Sequence, residues 1–190
     1  MAIDAYMTFT PYIGPPLTCE STVDFTGTTG ELASGMTAGQ VFEIDEWSQL
    51  SIEQTLSIGS QSGGTGSGRV DFKEFSITRK IDKASPIFFN MACSGTPFKN
   101  VALALRKSSG GDTAGQFFLR FDFKLAAVKT IAYSHDETSP KEEVTFEFGG
   151  LLFRYAMQQS TGVMASPIPA GWDRTKNVKN INDFTINYTG

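Results

Sequence analysis

The chain has 190 residues, of which 16 are basic and 20 acidic, for a formal net charge of −4. That length suits one domain able to bury a core without staples. So mild a charge excludes the basic stripe that nucleic acid or anionic lipid would require.

Residues 2–9 alternate loosely between apolar and polar side chains and predict a strand, ended by Pro11, Gly14, Pro15 and Pro16. The same segment has neither the positive nor the apolar region of a signal peptide, so none is expected. No run approaches 18 apolar residues, so no membrane insertion is expected. Residues 17–40 are rich in Thr, Ser and Gly, with a weak alternation at Val23 and Phe25; they predict a long loop or a short hairpin. Strands follow at 40–44 and 47–58, the second with a slip at Gln54. The segment from Gly59 to Gly68 has a flexible loop composition. Residues 70–81 predict a strand with one phase slip near Glu74, the mark of a bulge.

The clear helix signal lies at 85–94. Ser85 suits the N-cap, Pro86 the first helical position and Gly95 the position just past the end. Ile87 with Met91, and Phe88 with Ala92, make one apolar stripe for docking on a sheet. Cys93 lies in an apolar stretch and reads as a small buried hydrophobe. Beyond it, Val101, Leu103 and Leu105 alternate, and Phe117–Leu125 is the best period-2 run of the chain. In that run Arg120, Asp122 and Lys124 read as the wet face of a sheet, or as residues turned to a partner or a lumen. Val144, Phe146 and Phe148 alternate, and the run passes Gly149-Gly150, where a bend is expected, before resuming at 152–157. Phe184, Ile186 and Tyr188 suggest a last strand. The pattern is roughly eight antiparallel strands with one short helix, which fits a closed barrel or a sandwich.

No catalytic constellation emerges. The Gly-rich loop lacks the Gly-Lys-Ser/Thr ending of a phosphate-binding loop and is followed by a strand. Nucleophile-elbow and HExxH patterns are absent. The acidic pairs Asp45-Glu46 and Glu142-Glu143, and the charges around His135, read as solvated turns or strand faces. Two cysteines and one histidine are too few for a disulfide framework or a four-ligand zinc site. No enzymatic activity, cofactor or metal is therefore expected, and no catalytic residue can be chosen.

Several segments together resemble the haemolysin-coregulated protein (Hcp) family, the inner-tube subunit of type VI secretion systems. They are Met1–Met7, Glu43–Ser48, the Gly-rich loop, and above all Phe75–Pro86 continuing through Met91–Gly95. Glu142–Tyr155 followed by Gly171-Trp172-Asp173 resembles the family's closing strand and C-terminal signature. Residues 11–40 are longer than the family leads one to expect, as an inserted loop or hairpin, and residues 175–190 form a longer tail.

The resemblance implies a mainly β fold, a two-sheet antiparallel β-barrel with one short flanking α-helix, as a single tube domain over 1–190. It implies six copies closing into a ring, and rings stacking into a tube expelled by a contractile sheath under a spike, with baseplate proteins as further partners. It also implies effector proteins carried in the lumen, and release from the bacterial cytoplasm without a signal peptide. Candidate ring or stacking contacts are Gly63, Gly64, Thr65, Gly66, Ser67 and Gly68, and by alignment Ser48 is a candidate lumen-facing residue. Two alternatives are a phage-like tail tube protein and, from another class, a β-sandwich carbohydrate-binding module, for which Trp47 and Trp172 are the only tryptophans.

Overall fold

The computed structural model describes residues 3–55, 69–107, 115–160, 162–182 and 184. The strands are β1 (Ile3–Pro11), β2 (Phe42–Ile44), β3 (Glu46–Trp47), β4 (Ile52–Gln54), β5 (Val70–Phe72), β6 (Phe75–Lys80), β7 (Phe98–Lys107), β8 (Gln116–His135), β9 (Pro140–Tyr155), β10 (Ile168–Asp173) and β11 (Val178–Lys179); one helix, α1, spans Ser85–Ser94. Among the described residues every strand pairing is antiparallel.

The long hairpin of β8 and β9 organises the rest. Its outer half pairs β8 with β7, and β7 with β1. Along the other edge of β9, residues 141–146 pair with β6 and residues 150–155 pair with β10. β6 pairs with β3, and β3 continues through Asp45 into β2, which pairs with β1. The pairings therefore run in a circuit from β1 through β7, β8, β9, β6 and β3 back to β1, interrupted only by the bend at Asp45. β4 and β5 form a separate two-stranded ribbon.

Inside the circuit lies the main core, dominated by Phe. Phe9 meets Phe88, Phe42 and Phe98 with ring centroids 4.8, 5.1 and 5.3 Å apart, and Phe123 meets Phe148 at 4.9 Å. Alternate residues of each strand supply these rings, as a pleated strand requires. α1 packs on β8 and contributes Phe88 and Met91.

Several expectations change on contact with the structure. The 70–81 strand is two strands in different sheets, because the chain leaves the β4–β5 ribbon at residues 73–74 and does not merely bulge. The expected 47–58 strand likewise divides into β3 and β4 over its described part, and residues 56–58 lie outside the described residues. β8 runs ten residues past Leu125, whose φ of +53° shifts the phase of the alternation and hides residues 126–135 from a period-2 reading. No hairpin forms at 17–40; the segment is a loop with one 3-10 turn at Glu31–Ala33. β9 continues through Gly149-Gly150, and Gly150 is needed for space: a Cβ there would lie 2.9 Å from the ring of buried Phe184. Phe184 sits in a turn, and the rest of the proposed last strand lies outside the described residues.

α1 has the expected bounds and ends at Gly95 in the left-handed region, φ +65°. Ser85 is its first residue and not its cap, because its hydroxyl is held by a buried ion cluster. Ile87 and Phe89 are exposed, so the buried stripe runs through Ser85, Phe88 and Met91. Cys93 is exposed, while Cys19 is the buried thiol and donates to the Val41 carbonyl at 3.0 Å; burial pushes its pKa up. Glu142, read as solvated, is completely buried, and Arg120 and Asp122 are buried as well.

Candidate assembly surface

Three constructions shape the surface. The first is the step into α1. Arg79 is 2% exposed and lies across the rings of Phe42 and Phe88, 4.9 and 5.1 Å from their centroids. Its Nε donates to Glu142 Oε1 at 2.7 Å, and its Nη2 donates to Asp82 Oδ1 at 2.7 Å and to Ser85 Oγ at 3.1 Å. Ser85 Oγ donates to Glu142 at 3.0 Å, and Asp82 accepts from the Ala84 N–H at 2.9 Å. Burial pushes the Asp82 carboxyl up, but the Arg79 hydrogen bond and charge prevail and hold its pKa below the ordinary value. One cation shared among two carboxylates and an aromatic pair fixes β6, β9 and α1 together. The Arg-Lys-Ile-Asp-Lys-Ala-Ser-Pro sequence at 79–86 thus forms a joint between β6, β9 and α1.

The second is an outer layer. β1 has four consecutive buried residues, Tyr6–Phe9, and β7 is buried continuously from Asn100 to Leu105. Both faces of these strands are therefore covered. Residues 23–41 lie over the outside, where Phe25, Leu32, Met36 and Val41 pack on Tyr6, Ala102, Ala104 and Phe117. Tyr6 and Phe25 meet edge to face at 5.2 Å, and Arg106 stands over both rings while donating to the Tyr6 hydroxyl at 2.7 Å. Polar ties hold the layer down. Arg120 Nη1 donates to the Leu32 and Ser34 carbonyls at 3.1 and 2.5 Å, and its Nε donates to Asp122 at 2.9 Å. Arg154 bridges Asp122 at 2.5 Å and Glu31 at 2.7 Å. The sequence carried a signal for this layer. Val101-Ala-Leu-Ala-Leu105 is apolar at every position, which marks a strand buried on both faces.

The third is a cleft of about 690 Å³ where the β4–β5 ribbon stands beside β8, β9 and β10. Its wall includes Trp47, Leu50, Ile52, Phe121, Phe153 and Trp172. Phe121 and Phe153 stack at 5.2 Å, and Trp47 lies 6.2 Å from Phe121. Trp47, Ile52 and Phe153 remain exposed. Gly171 is obligatory here, since a Cβ would fall 2.1 Å from the Asn180 carbonyl oxygen; its absence lets the chain after β10 cross close by and sets Trp172 in the wall.

Ser48 follows β3 and is half-buried. Its N–H donates to the Ser76 carbonyl and its Oγ accepts from the Ser76 N–H, both at 2.8 Å, so the hydroxyl prolongs the β3–β6 pairing. Gly63, Gly64, Thr65, Gly66, Ser67 and Gly68 lie outside the described residues. Among the described residues no three of His, Cys, Asp and Glu converge in a metal-binding group. No helix there is long and apolar enough to cross a membrane.

The family model described as "Type VI secretion system effector, Hcp" matches residues 23–155. Protein hcp1 of Pseudomonas aeruginosa is 27% identical over 112 residues, which cover 58% of this chain and 69% of that protein. Among solved structures, one of a type six secretion system protein aligns with a TM-score of 0.72 at 20% identity, over 94% of this chain and 100% of its own. Hcp1 from Salmonella typhimurium aligns with a TM-score of 0.65 at 20% identity, over 95% of this chain and 100% of its own.

Proposed function

The chain belongs to the Hcp family of type VI secretion tube proteins, and we propose that six copies of it close into a ring and that rings stack into the inner tube of such a system. The observation that carries this reading is the family match across 23–155, which includes the joint at 79–86 and most of the strand circuit. The surface supports it: Trp47, Ile52 and Phe153 are exposed together at one cleft, and a grouped apolar surface suits contact with a partner.

In this reading the part is structural and without catalytic residues. Its partners are other copies of itself, a contractile sheath, spike and baseplate proteins, and effector proteins carried in the lumen. Assembly takes place in the bacterial cytoplasm, and contraction carries the subunit out. Residues 63–68 are proposed contacts between copies, and Ser48 is proposed to face the lumen. The test is the solution mass by light scattering with negative-stain imaging. Ring-shaped particles with the mass of six protomers are expected; a monomer at every concentration would sink the reading.

A second reading rests on one observation, the aromatic wall of the cleft with both tryptophans in it. Such a wall suits the face of a sugar ring, as in a carbohydrate-binding module. Glycan-array binding by a monomeric chain would favour it.

A further inference from the structure

Ile13 is 92% exposed, the most exposed large apolar side chain among the described residues, and Tyr12 beside it is 54% exposed. They project from a stiff turn. The Leu17 N–H donates to the Phe9 carbonyl at 2.9 Å and closes the excursion at its base. Gly14 takes φ +95°, and Pro11, Pro15 and Pro16 restrict the backbone around it. Phe9 and Leu17 anchor the two ends in the main core. An apolar knob held this way has little freedom left to lose when it is covered.

The cleft is the complementary shape, an apolar recess with aromatic walls and an exposed rim at Trp47, Ile52 and Phe153. The knob cannot fill its own recess. It springs from the end of β1, where Pro11 pairs with Phe98, whereas Phe121 and Phe153 in the cleft align with Leu103. The two rows are five residues apart, about 17 Å along the strand, and two further strands, β7 and β8, separate β1 from β9. The closed base of the turn prevents it from reaching across. The β4–β5 ribbon is anchored to the main core through Phe72 of β5, while all three residues of β4 are exposed, so the ribbon presents β4 as a supported surface for a partner.

A projection and a recess of matching chemistry at different places on one chain are what a head-to-tail contact between identical copies uses. We propose that the Tyr12–Ile13 turn of one copy inserts into the cleft between Trp47, Ile52, Phe121 and Phe153 of the next. This rests on the tube reading and names two surfaces through which that reading would be realised.

Cross-linking and assembly test it together. Ile13→Cys and Ile52→Cys are made in separate chains, each carrying Cys93→Ser to remove the exposed native thiol, and the two are mixed under mild oxidation. A reducible covalent dimer is expected in the mixture and in neither chain alone. Ile13→Asp, at a solvated position, is expected to keep the wild-type melting temperature while raising the concentration needed for half-assembly at least about 10-fold, as loss of a central apolar anchor does. Ile52→Asp on the cleft rim should do the same. Wild-type rings with no cross-link, and Ile13→Asp assembling like wild type, would overturn this contact and leave the tube reading intact. A wild-type chain that stays monomeric would overturn both. A glycan that binds the cleft of the monomer and stays bound to the same extent when the wild-type chains assemble into rings would overturn the knob as its occupant.

Discussion

The sheet of β1, β7 and β8 is covered on both faces, but by different chemistry. Its inner face meets interlocked Phe rings contributed by strands far apart in sequence. Its outer face meets one continuous segment, 23–41, whose rings are few and whose hold depends on Arg120, Arg154, Asp122 and Glu31. Apolar packing is non-directional and proportional to area, so the inner face is the cooperative part of the molecule. Charge-assisted hydrogen bonds are directional and few, so the outer layer is a segment fastened at points and able to open locally.

The largest effect should come from the inner face. Phe9→Ala leaves a cavity among Phe42, Phe88 and Phe98 and is expected to cost about 3–5 kcal/mol, read as a fall in the urea midpoint at unchanged slope. A loss below 1 kcal/mol would mean that the rings collapse into the space and that the inner face is not a fixed lattice.

Next comes the fastening of the outer layer. Arg120→Met leaves the Asp122 carboxylate to Arg154 alone and strands the Leu32 and Ser34 carbonyls, and removing one partner of such a buried network costs about 3 kcal/mol. Much of that loss should appear locally, as proteolytic cleavage and fast amide exchange within 23–41 while β8 and β9 stay protected. Equal loss of protection in β8 would show that the two layers open as one unit and erase the distinction drawn between them.

A smaller effect sharpens the comparison through pH. Asp82, beside Arg79 in the joint, has a pKa held below its ordinary value, so its contribution is present above the unfolded carboxylate value of about 4 and disappears as pH falls through the folded value. The stability gap between wild type and Asp82→Asn should therefore be widest at neutral pH and narrow in acid. A gap independent of pH would remove the charge of Asp82 from the account of the joint. The smallest change expected is in the stability of Ile13→Asp, within about 0.5 kcal/mol of wild type, as suits a surface residue touching neither layer; equilibrium unfolding by urea checks it.

Much of the inner face was legible in the sequence, because alternation with period two needs only local steric rules. Val101, Leu103 and Leu105, the Phe117–Leu125 run and Val144–Phe148 all lie in strands that line the core. The helix at 85–94 was legible from Pro86 and Gly95, whose backbone preferences are local as well. The outer layer was misread for the opposite reason. In 17–41 apolar residues are spaced irregularly, and Arg120 and Asp122 alternate with apolar neighbours as solvent-facing residues do. Only the arrival of the Leu32 and Ser34 carbonyls over the sheet turns that wet face into an interior. The cleft was equally hidden, since Trp47, Phe121, Phe153 and Trp172 come from four strands.

The sequence by itself determined that this is a β-rich chain with one helix, and through ordered segments such as 75–86 it determined the family, because local pattern and residue identity survive without coordinates. The tertiary structure alone decided which segment covers the outer faces of β1 and β7, that Glu142 and Arg79 share one interior site, and that a knob and a recess lie apart on one surface. Those are facts of long-range placement, fixed by which strands pair and in what register, and no local periodicity encodes them.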